Sequence, residues 1–425
     1  MAELTEHFRT SRRWTLYFST HRNPRRCVAM ARHVHREQIV PNRWLHAATL
    51  ERFARKPISR KTLNALAFPD LCEKNSLFAS ANYVKNELPT RLSHRIVDMK
   101  ELPYFVLTAP SIHHVYQIYI DAFSSCSQFP PITSLGQEAL FCELLKKIVS
   151  DSAEVVQLVA EGLFQSRMIS QRLGLHKNQH LHVQLQEWVE ILMASRIGRR
   201  VLAEQHIALH EAVQQGNDIV DMQCDVLQCL SHAILASKRV STYHYGVSPE
   251  VLISGCDVIH LPFVRAHLEY TLFELLKNAM RATVEHAGGK RGSVFAPPEE
   301  LPAVHVLVAS GPSELTIRIS DAGGGLKQGD KDKIFQYGYT TVGDHAAIEV
   351  AESVAEESFL GNALSDRVAP MQESPMAGLG FGLPMSRLYA RYFGGDTKVI
   401  NLEGYGCDVY VTLSRTGDVL ENILV

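Results

Sequence analysis

The sequence predicts an α+β protein of two domains, an amino-terminal four-helix bundle followed by an α/β sandwich with a mixed, largely antiparallel sheet. Glycine is rare between Pro41 and Leu209, and apolar residues recur there at helical spacing. After Ile219 the texture changes to short alternating strands mixed with helices. Two glycine clusters then follow, one after a strand and one before a helix.

Residues 1–40 stand apart. From Phe8 to Arg36 there is no acidic residue, while Arg9, Arg12, Arg13, Arg22, Arg25, Arg26, Arg32 and Arg36 recur among Ser, Thr and apolar residues. Basic, hydroxylated and acid-poor composition is that of a mitochondrial transit segment; a basic arm for anionic surfaces has the same composition. The bundle domain is placed at 41–212. Long helices are expected over Leu77–Lys100, Ser111–Phe129, Ser134–Leu173 and Gln179–His210, after a short helical preface. Pro130-Pro131 mark one connection, and Gly216–Asp218 mark the boundary to the second domain at 213–425.

In the second domain, helices are expected at Asp221–Lys238 and Leu268–His286. Strands are expected at Ala303–Ala309, Glu314–Ser320 and Asp408–Ser414, where Val, Leu and Ile alternate with other residues. The run from Val342 to Ala377 has little periodicity, with an acid-rich stretch at Glu349–Glu357, and reads as a mobile loop between the glycine clusters.

Composition excludes several classes. A net charge of -2 argues against a general nucleic-acid binder. No apolar run reaches the roughly 20 residues of a membrane-spanning helix. Eight cysteines without a CxxC pair or Cys/His cluster fit a reducing compartment rather than a disulfide framework or a structural zinc.

Three stretches carry chemistry. In Glu274-Leu-Leu-Lys-Asn278 the acid and the amide lie one helical turn apart on the same face. Asn278 offers an oxygen to Mg2+, Glu274 a base for a hydroxyl or water, and Lys277 and Arg281 border the same surface and suit phosphate. Asp321, ahead of Gly323, Gly324 and Gly325, puts a carboxylate at a strand end, where it suits an exocyclic amine such as that of adenine. Gly378-Leu379-Gly380-Phe381-Gly382 precedes Leu383-Pro384 and a helix, whose free amides suit phosphates. Each stretch alone also reads as ordinary structure: a polar helix face, a tight turn, a glycine-rich loop. No GxxxxGK[ST] occurs, which excludes a P-loop.

In this order and spacing the stretches resemble the N, G1 and G2 boxes of the GHKL ATPase superfamily. From about Glu51 to Ser414 the chain is similar to the mitochondrial α-keto acid dehydrogenase kinases. The motifs are Glu87-Leu-Pro-x-Arg-Leu92, Ser195-Arg-Ile-Gly198 with Gln205-His206, and Glu274–Ala282. Tyr337-Gly-Tyr-Thr-Thr341, Arg387-Leu-Tyr-Ala390 and Gly404-Tyr-Gly-Cys-Asp408 complete them.

The resemblance implies an ATP-dependent protein-serine kinase of the mitochondrial matrix, with Glu274 as general base and Asn278 as Mg2+ ligand. Asp321 would recognise adenine, and Gly323, Gly325, Gly378, Gly380 and Gly382, with Leu379, Phe381 and Leu383, would frame the nucleotide. Arg281 would lie near the phosphates, and Thr340 and Thr341 at the base of the lid. It further implies an allosteric keto-acid pocket at Arg196 and Arg200, a potassium ion near the lid base and a homodimer. The expected partners are a dehydrogenase α-subunit and the lipoyl domain of the dihydrolipoyl acyltransferase core.

Ser93-His-Arg-Ile96, Tyr245-Gly246, Tyr270 and the lack of a tryptophan-bearing tail resemble the branched-chain α-ketoacid dehydrogenase kinase. Leu388–Phe393 is more like the pyruvate dehydrogenase kinases, which stand as the alternative. An inactive nucleotide-binding regulator docked on the lipoyl core is a second alternative, and a chaperone- or gyrase-type ATPase a third. Two departures from the family stand out: Cys407 occupies the place of a threonine, and Ser152 stands near where many members have a histidine lining the keto-acid pocket. His206 and His210 read as hydrogen-bonded core or interface residues rather than phosphate carriers.

Overall fold

The computed structural model describes residues 43–67, 74–175, 178–212, 219–255, 259–291, 301–340 and 379–423. The expected transit segment, the boundary at Gly216–Asp218 and the loop at Val342–Ala377 lie outside these residues, as do Thr341 and Gly378.

Eight helices precede the first strand among the described residues: α1 (Arg43–Ala54), α2 (Leu63–Leu66), α3 (Lys74–Glu101), α4 (Tyr104–Leu107), α5 (Pro110–Gln128), α6 (Leu135–Asp151), α7 (Val155–Arg172) and α8 (Gln179–Ala212). The helix expected over Ser134–Leu173 is two. Ser152 ends α6, its hydroxyl donating to the Val149 carbonyl at 3.0 Å, and the chain turns before Val155. Local side-chain competition of this kind leaves no mark on hydrophobic periodicity. Ser134 caps the start of α6 by accepting from the Gln137 amide. Helix α8 buries Leu192, Ile197, Val201 and Leu202 and packs on α3 and α6.

The second domain contains β1 (Val220–Asp225), α9 (Val226–Tyr245), β2 (Val251–Gly255), β3 (His260–Val264), α10 (Arg265–Arg291), β4 (Val304–Ser310), β5 (Glu314–Ser320), α11 (Gly382–Tyr392), β6 (Asp396–Leu402) and β7 (Gly406–Ser414). The first turns expected of a helix at Asp221 are instead β1. The helix begins after Asp225, whose carboxylate accepts from the amides of Leu227 and Gln228. Strands β1 and β3 form an antiparallel pair. The main sheet runs β2-β4-β5-β7-β6, with β2 parallel to β4 and every other pair antiparallel. This is the mixed, largely antiparallel sheet predicted. Period-two alternation turns Val304, Val306, Val308, Leu315, Ile317 and Ile319 inward, with α10 against β4 and β5 and α11 against β6 and β7. Among the described residues no helix is long and apolar enough to cross a membrane.

Candidate active site

Leu268, Leu272, Leu275, Leu276 and Ala279 hold α10 in the core and fix the direction of its polar residues. Glu274 is buried, and its Oε1 accepts from the Lys277 ammonium at 2.7 Å. Asn278, one turn on, is exposed. Lys277 was expected to border phosphate. It is instead buried on the carboxylate, with its ammonium 5.1 Å from the Phe273 ring centroid. Arg281 pairs with Glu285 at 3.0 Å on the partly exposed side of the helix.

Asp321 follows the last residue of β5. Its Oδ1 accepts from the amides of Gly323 (2.8 Å) and Cys407 (3.3 Å), and its own amide donates to the Cys407 carbonyl at 3.0 Å. Burial raises the pKa of this carboxyl, and the two amides oppose the rise. Gly323 is packed so closely on α10 that a Cβ would overlap Ala282. Gly325 has φ +73° and would push a Cβ to 2.6 Å from the Leu402 carbonyl, so only glycine fits the close, left-handed turn. The Cys407 thiol donates to Asn401 Oδ1 at 3.5 Å, and burial pushes its pKa up to about 11.

Helix α11 starts at the second glycine cluster. Phe381 precedes it with no side-chain cap, so the amides of the first turn have no capping oxygen from that residue. A Cβ on Gly382 would overlap Glu274 Oε2, and one on Gly380 (φ +77°) would overlap the Tyr339 carbonyl. The first turn of α11 and the carboxylate on α10 therefore lie in direct contact, with no room for a methyl group between them. Gly338 donates from its amide to the Gly380 carbonyl at 3.2 Å, bringing the Tyr337–Thr340 segment alongside. Leu379, Phe381 and Leu383 lie in the same turn, with the Phe381 ring 5.2 Å from that of Tyr337.

The structure thus gathers Glu274, Lys277, Asp321, Gly323, Gly325, Gly380 and Gly382 around the junction of α10, β5 and α11. One contribution had no sequence signal. Gln186 on α8 receives the Tyr337 amide (2.7 Å) and donates to its carbonyl (3.1 Å), while the Tyr337 hydroxyl donates to Glu190 at 2.5 Å. The bundle grips the base of the expected lid through residues 151 and 147 positions away in the chain.

Arg196 and Arg200 lie elsewhere, inside the bundle. Arg196 is fully buried, and its Nε and Nη2 have no hydrogen-bond partner among the described residues. Burial and neighbouring Arg200 bring its pKa down to about 10. Arg200 pairs with Glu204 at 2.5 Å and reaches the Val149 carbonyl that Ser152 also uses. His206 contacts Ser80 at 3.1 Å and Glu138 at 3.3 Å, and His210 contacts Glu138 at 2.8 Å. Both histidines are hydrogen-bonded inside the bundle.

The glycine turns, the helix-borne acid and the one-sided sheet define a GHKL-type ATP-binding domain. A family model described as Histidine kinase-, DNA gyrase B-, and HSP90-like ATPase matches residues 264–417. One described as Mitochondrial branched-chain alpha-ketoacid dehydrogenase kinase matches residues 49–232. The mitochondrial pyruvate dehydrogenase (acetyl-transferring) kinase of Arabidopsis thaliana is 30% identical over 351 residues, 82% of this chain and 88% of the relative. Isozyme 4 of the mitochondrial pyruvate dehydrogenase kinase of Homo sapiens is 31% identical over 374 residues, 85% and 82% of the two chains. Isozyme 3 of Homo sapiens is 29% identical over 380 residues, 85% and 83%. The chain belongs to the mitochondrial α-keto acid dehydrogenase kinase family of ATP-dependent protein-serine kinases.

Proposed function

We propose that this kinase acts in the mitochondrial matrix on a serine of the α-subunit of the branched-chain α-keto acid dehydrogenase complex, inactivating it. The observation that carries the chemistry is the buried Glu274 carboxylate facing the first turn of α11, where any residue larger than Gly382 would collide. The fit to Mg-ATP rests on the uncapped amides of α11 beside that carboxylate and on exposed Asn278 one helical turn further on. Bound Mg-ATP supplies the phosphoryl group and, in its metal, countercharge for the phosphates.

The chain's own residues do the rest. Glu274 accepts the proton of the serine hydroxyl, and Lys277 holds the carboxylate in place. Exposed Asn278 offers its amide oxygen to the metal. Asp321 accepts from the adenine amino group, while Gly323, Gly325, Gly380 and Gly382 let the backbone come close. The same reading gives Arg196 and Arg200 an inhibitory keto acid, supported by the two unpartnered guanidinium nitrogens of Arg196. It also gives the chain a lipoyl domain as docking partner and a second copy as dimer partner.

The branched-chain preference is supported by Tyr270. Its ring packs 5.3 Å from Tyr389, one turn before Glu274, where the pyruvate kinases usually carry histidine. A second reading, pyruvate dehydrogenase as acceptor, is favoured by the names of the relatives above. An assay with Mg-ATP, lipoyl-bearing core and each dehydrogenase separately decides between them. Serine phosphate on the branched-chain α-subunit alone is the expected result. Label on pyruvate dehydrogenase alone would establish the second reading, and ATP binding without label on either would leave a nucleotide-binding regulator.

A further inference from the structure

The Glu87-Leu-Pro-x-Arg-Leu92 motif plays no part in the site described above, yet both its charges are buried, Arg91 almost completely. Arg91 and Glu87 meet at 3.0 Å with side chains 1% and 9% exposed. The other face of the Arg91 guanidinium holds Glu421, four residues from the carboxyl terminus. Nη1 reaches Oε1 at 3.0 Å and Nη2 reaches Oε2 at 2.7 Å. Glu421 is completely buried. Its Oε1 also accepts from the Tyr392 hydroxyl at 2.9 Å, and its Oε2 from the Lys61 amide at 3.0 Å. Four donors on one dry carboxylate satisfy it fully.

Backbone bonds hold the same segment in place. The Glu421 amide donates to the Lys61 carbonyl at 2.9 Å, and the Asn422 amide to the Tyr392 carbonyl at 2.8 Å. Arg60 donates to the Ile423 carbonyl at 2.9 Å. The meeting point lies against α8 at Gly198. A Cβ there would overlap the Tyr392 hydroxyl and come within 2.6 Å of Arg91 Nη1. Three parts of the chain converge on this glycine: bundle helix α3, the carboxyl-terminal segment, and the last residue of α11. The first residue of α11 is Gly382, opposite Glu274. A helix transmits position along its axis, and Tyr392 sits roughly 15 Å from Gly382.

We propose that Glu87, Arg91, Glu421 and Tyr392 form an interdomain clamp. By fixing the carboxyl-terminal end of α11 against the bundle, it positions the Gly380–Gly382 turn for the nucleotide. Arg91, Glu421 and Tyr392 are then positioning residues that act through α11 and never touch ATP. The nucleotide half of this inference rests on the site reading given under the proposed function. A fully paired buried carboxylate is costly to break from one side and often neutral to replace together with its partners, so single and combined substitutions separate geometry from stability.

The test uses the full chain and two readouts: Kd for Mg-ATP, and amide hydrogen exchange without nucleotide. Glu421→Gln puts a donor where Arg91 and Lys61 already donate. It is expected to raise Kd about tenfold and to speed exchange in 382–392 while leaving 226–245 at the parent rate. Tyr392→Phe, which removes one donor only, is expected to raise Kd about threefold. If Glu421→Gln does not fold, the Glu87→Gln, Arg91→Met, Glu421→Met triple replaces all three charges with neutral side chains, and its Kd is still expected to exceed the parent's. A folded variant with the parent's Kd and the parent's exchange in 382–392 overturns the clamp. A parent chain that binds no Mg-ATP overturns the nucleotide reading and the coupling with it, whereas unchanged exchange in the nucleotide-free variant overturns the clamp alone.

Discussion

As the proposed base, Glu274 combines two properties that oppose each other in most proteins: burial, and access to a substrate hydroxyl. Lys277 at 2.7 Å reconciles them by giving the carboxylate a charged partner on its own helix, while Oε2 lies against the bare backbone of Gly382. Glu274→Gln keeps the size and removes the base. Turnover is expected to fall by about 10²–10⁴-fold with Kd for ATP within about threefold of the parent, measured by phosphate transfer and calorimetry. An equal loss of both would mean that Glu274 binds nucleotide rather than accepting a proton. At Cys407 the thiol reaches Asn401 over 3.5 Å, a weak bond beside the Asp321 carboxylate. Cys407→Thr supplies a hydroxyl there and is expected to tighten ATP binding by about three- to tenfold, corresponding to one ordinary hydrogen bond of about 1 kcal/mol. Unchanged affinity would show that position 407 does not reach the nucleotide.

At the scale of elements, helix α11 brings two rules into conflict. Alanine in place of glycine favours a helix by about 0.5–1 kcal/mol. At Gly382, however, an added methyl overlaps the carboxylate of Glu274. The overlap wins because that carboxylate is held by Lys277 and cannot swing away without losing its partner. Gly382→Ala is therefore expected to leave the thermal midpoint within a few degrees of the parent and to cut turnover by more than about tenfold. A fully active Gly382→Ala chain would show that Glu274 moves freely.

The glycine turns, the helix face of Glu274 and the strand end before Asp321 were legible in the sequence because each is a local feature. The strands β4, β5 and β7 were legible for the same reason, through alternation. Strands β1 and β3 were not, since Val220–Asp225 lacks alternation and His260–Val264 carries a proline. The break at Ser152 was hidden by apolar periodicity that continues through it. The partners of Tyr337 on α8 and of Arg91 at Glu421 were out of reach altogether. No spacing rule connects side chains 151 or 330 positions apart.

On the scale of the whole molecule, the two domains meet along α8, which grips Tyr337 at Gln186 and Glu190 and makes room for Tyr392 at Gly198. Between these joints lies a third contact in which charge faces a titratable group. His267 on α10 is buried against Tyr389, with ring centroids 4.2 Å apart. Its Nδ1 has no hydrogen-bond partner among the described residues. Burial, and then Arg200 and Arg196 from the bundle, depress its pKa to about 3. The folded chain thus keeps this imidazole neutral where the unfolded chain, at an ordinary value of about 6.5, takes up a proton. Between those two values the unfolded state binds more protons, so stability is complete above about pH 6.5 and declines as pH falls toward 3. The slope from this one residue approaches about 1.4 kcal/mol per pH unit. Denaturant unfolding from pH 7.5 to 4.5 is expected to show the decline, and His267→Phe is expected to remove the part due to this imidazole. Because burial is the larger cause and the bundle charges the smaller, Arg200→Met should raise the pH at which the decline ends and leave the slope near pH 6 in place. A slope unchanged in His267→Phe would place the acid sensitivity elsewhere.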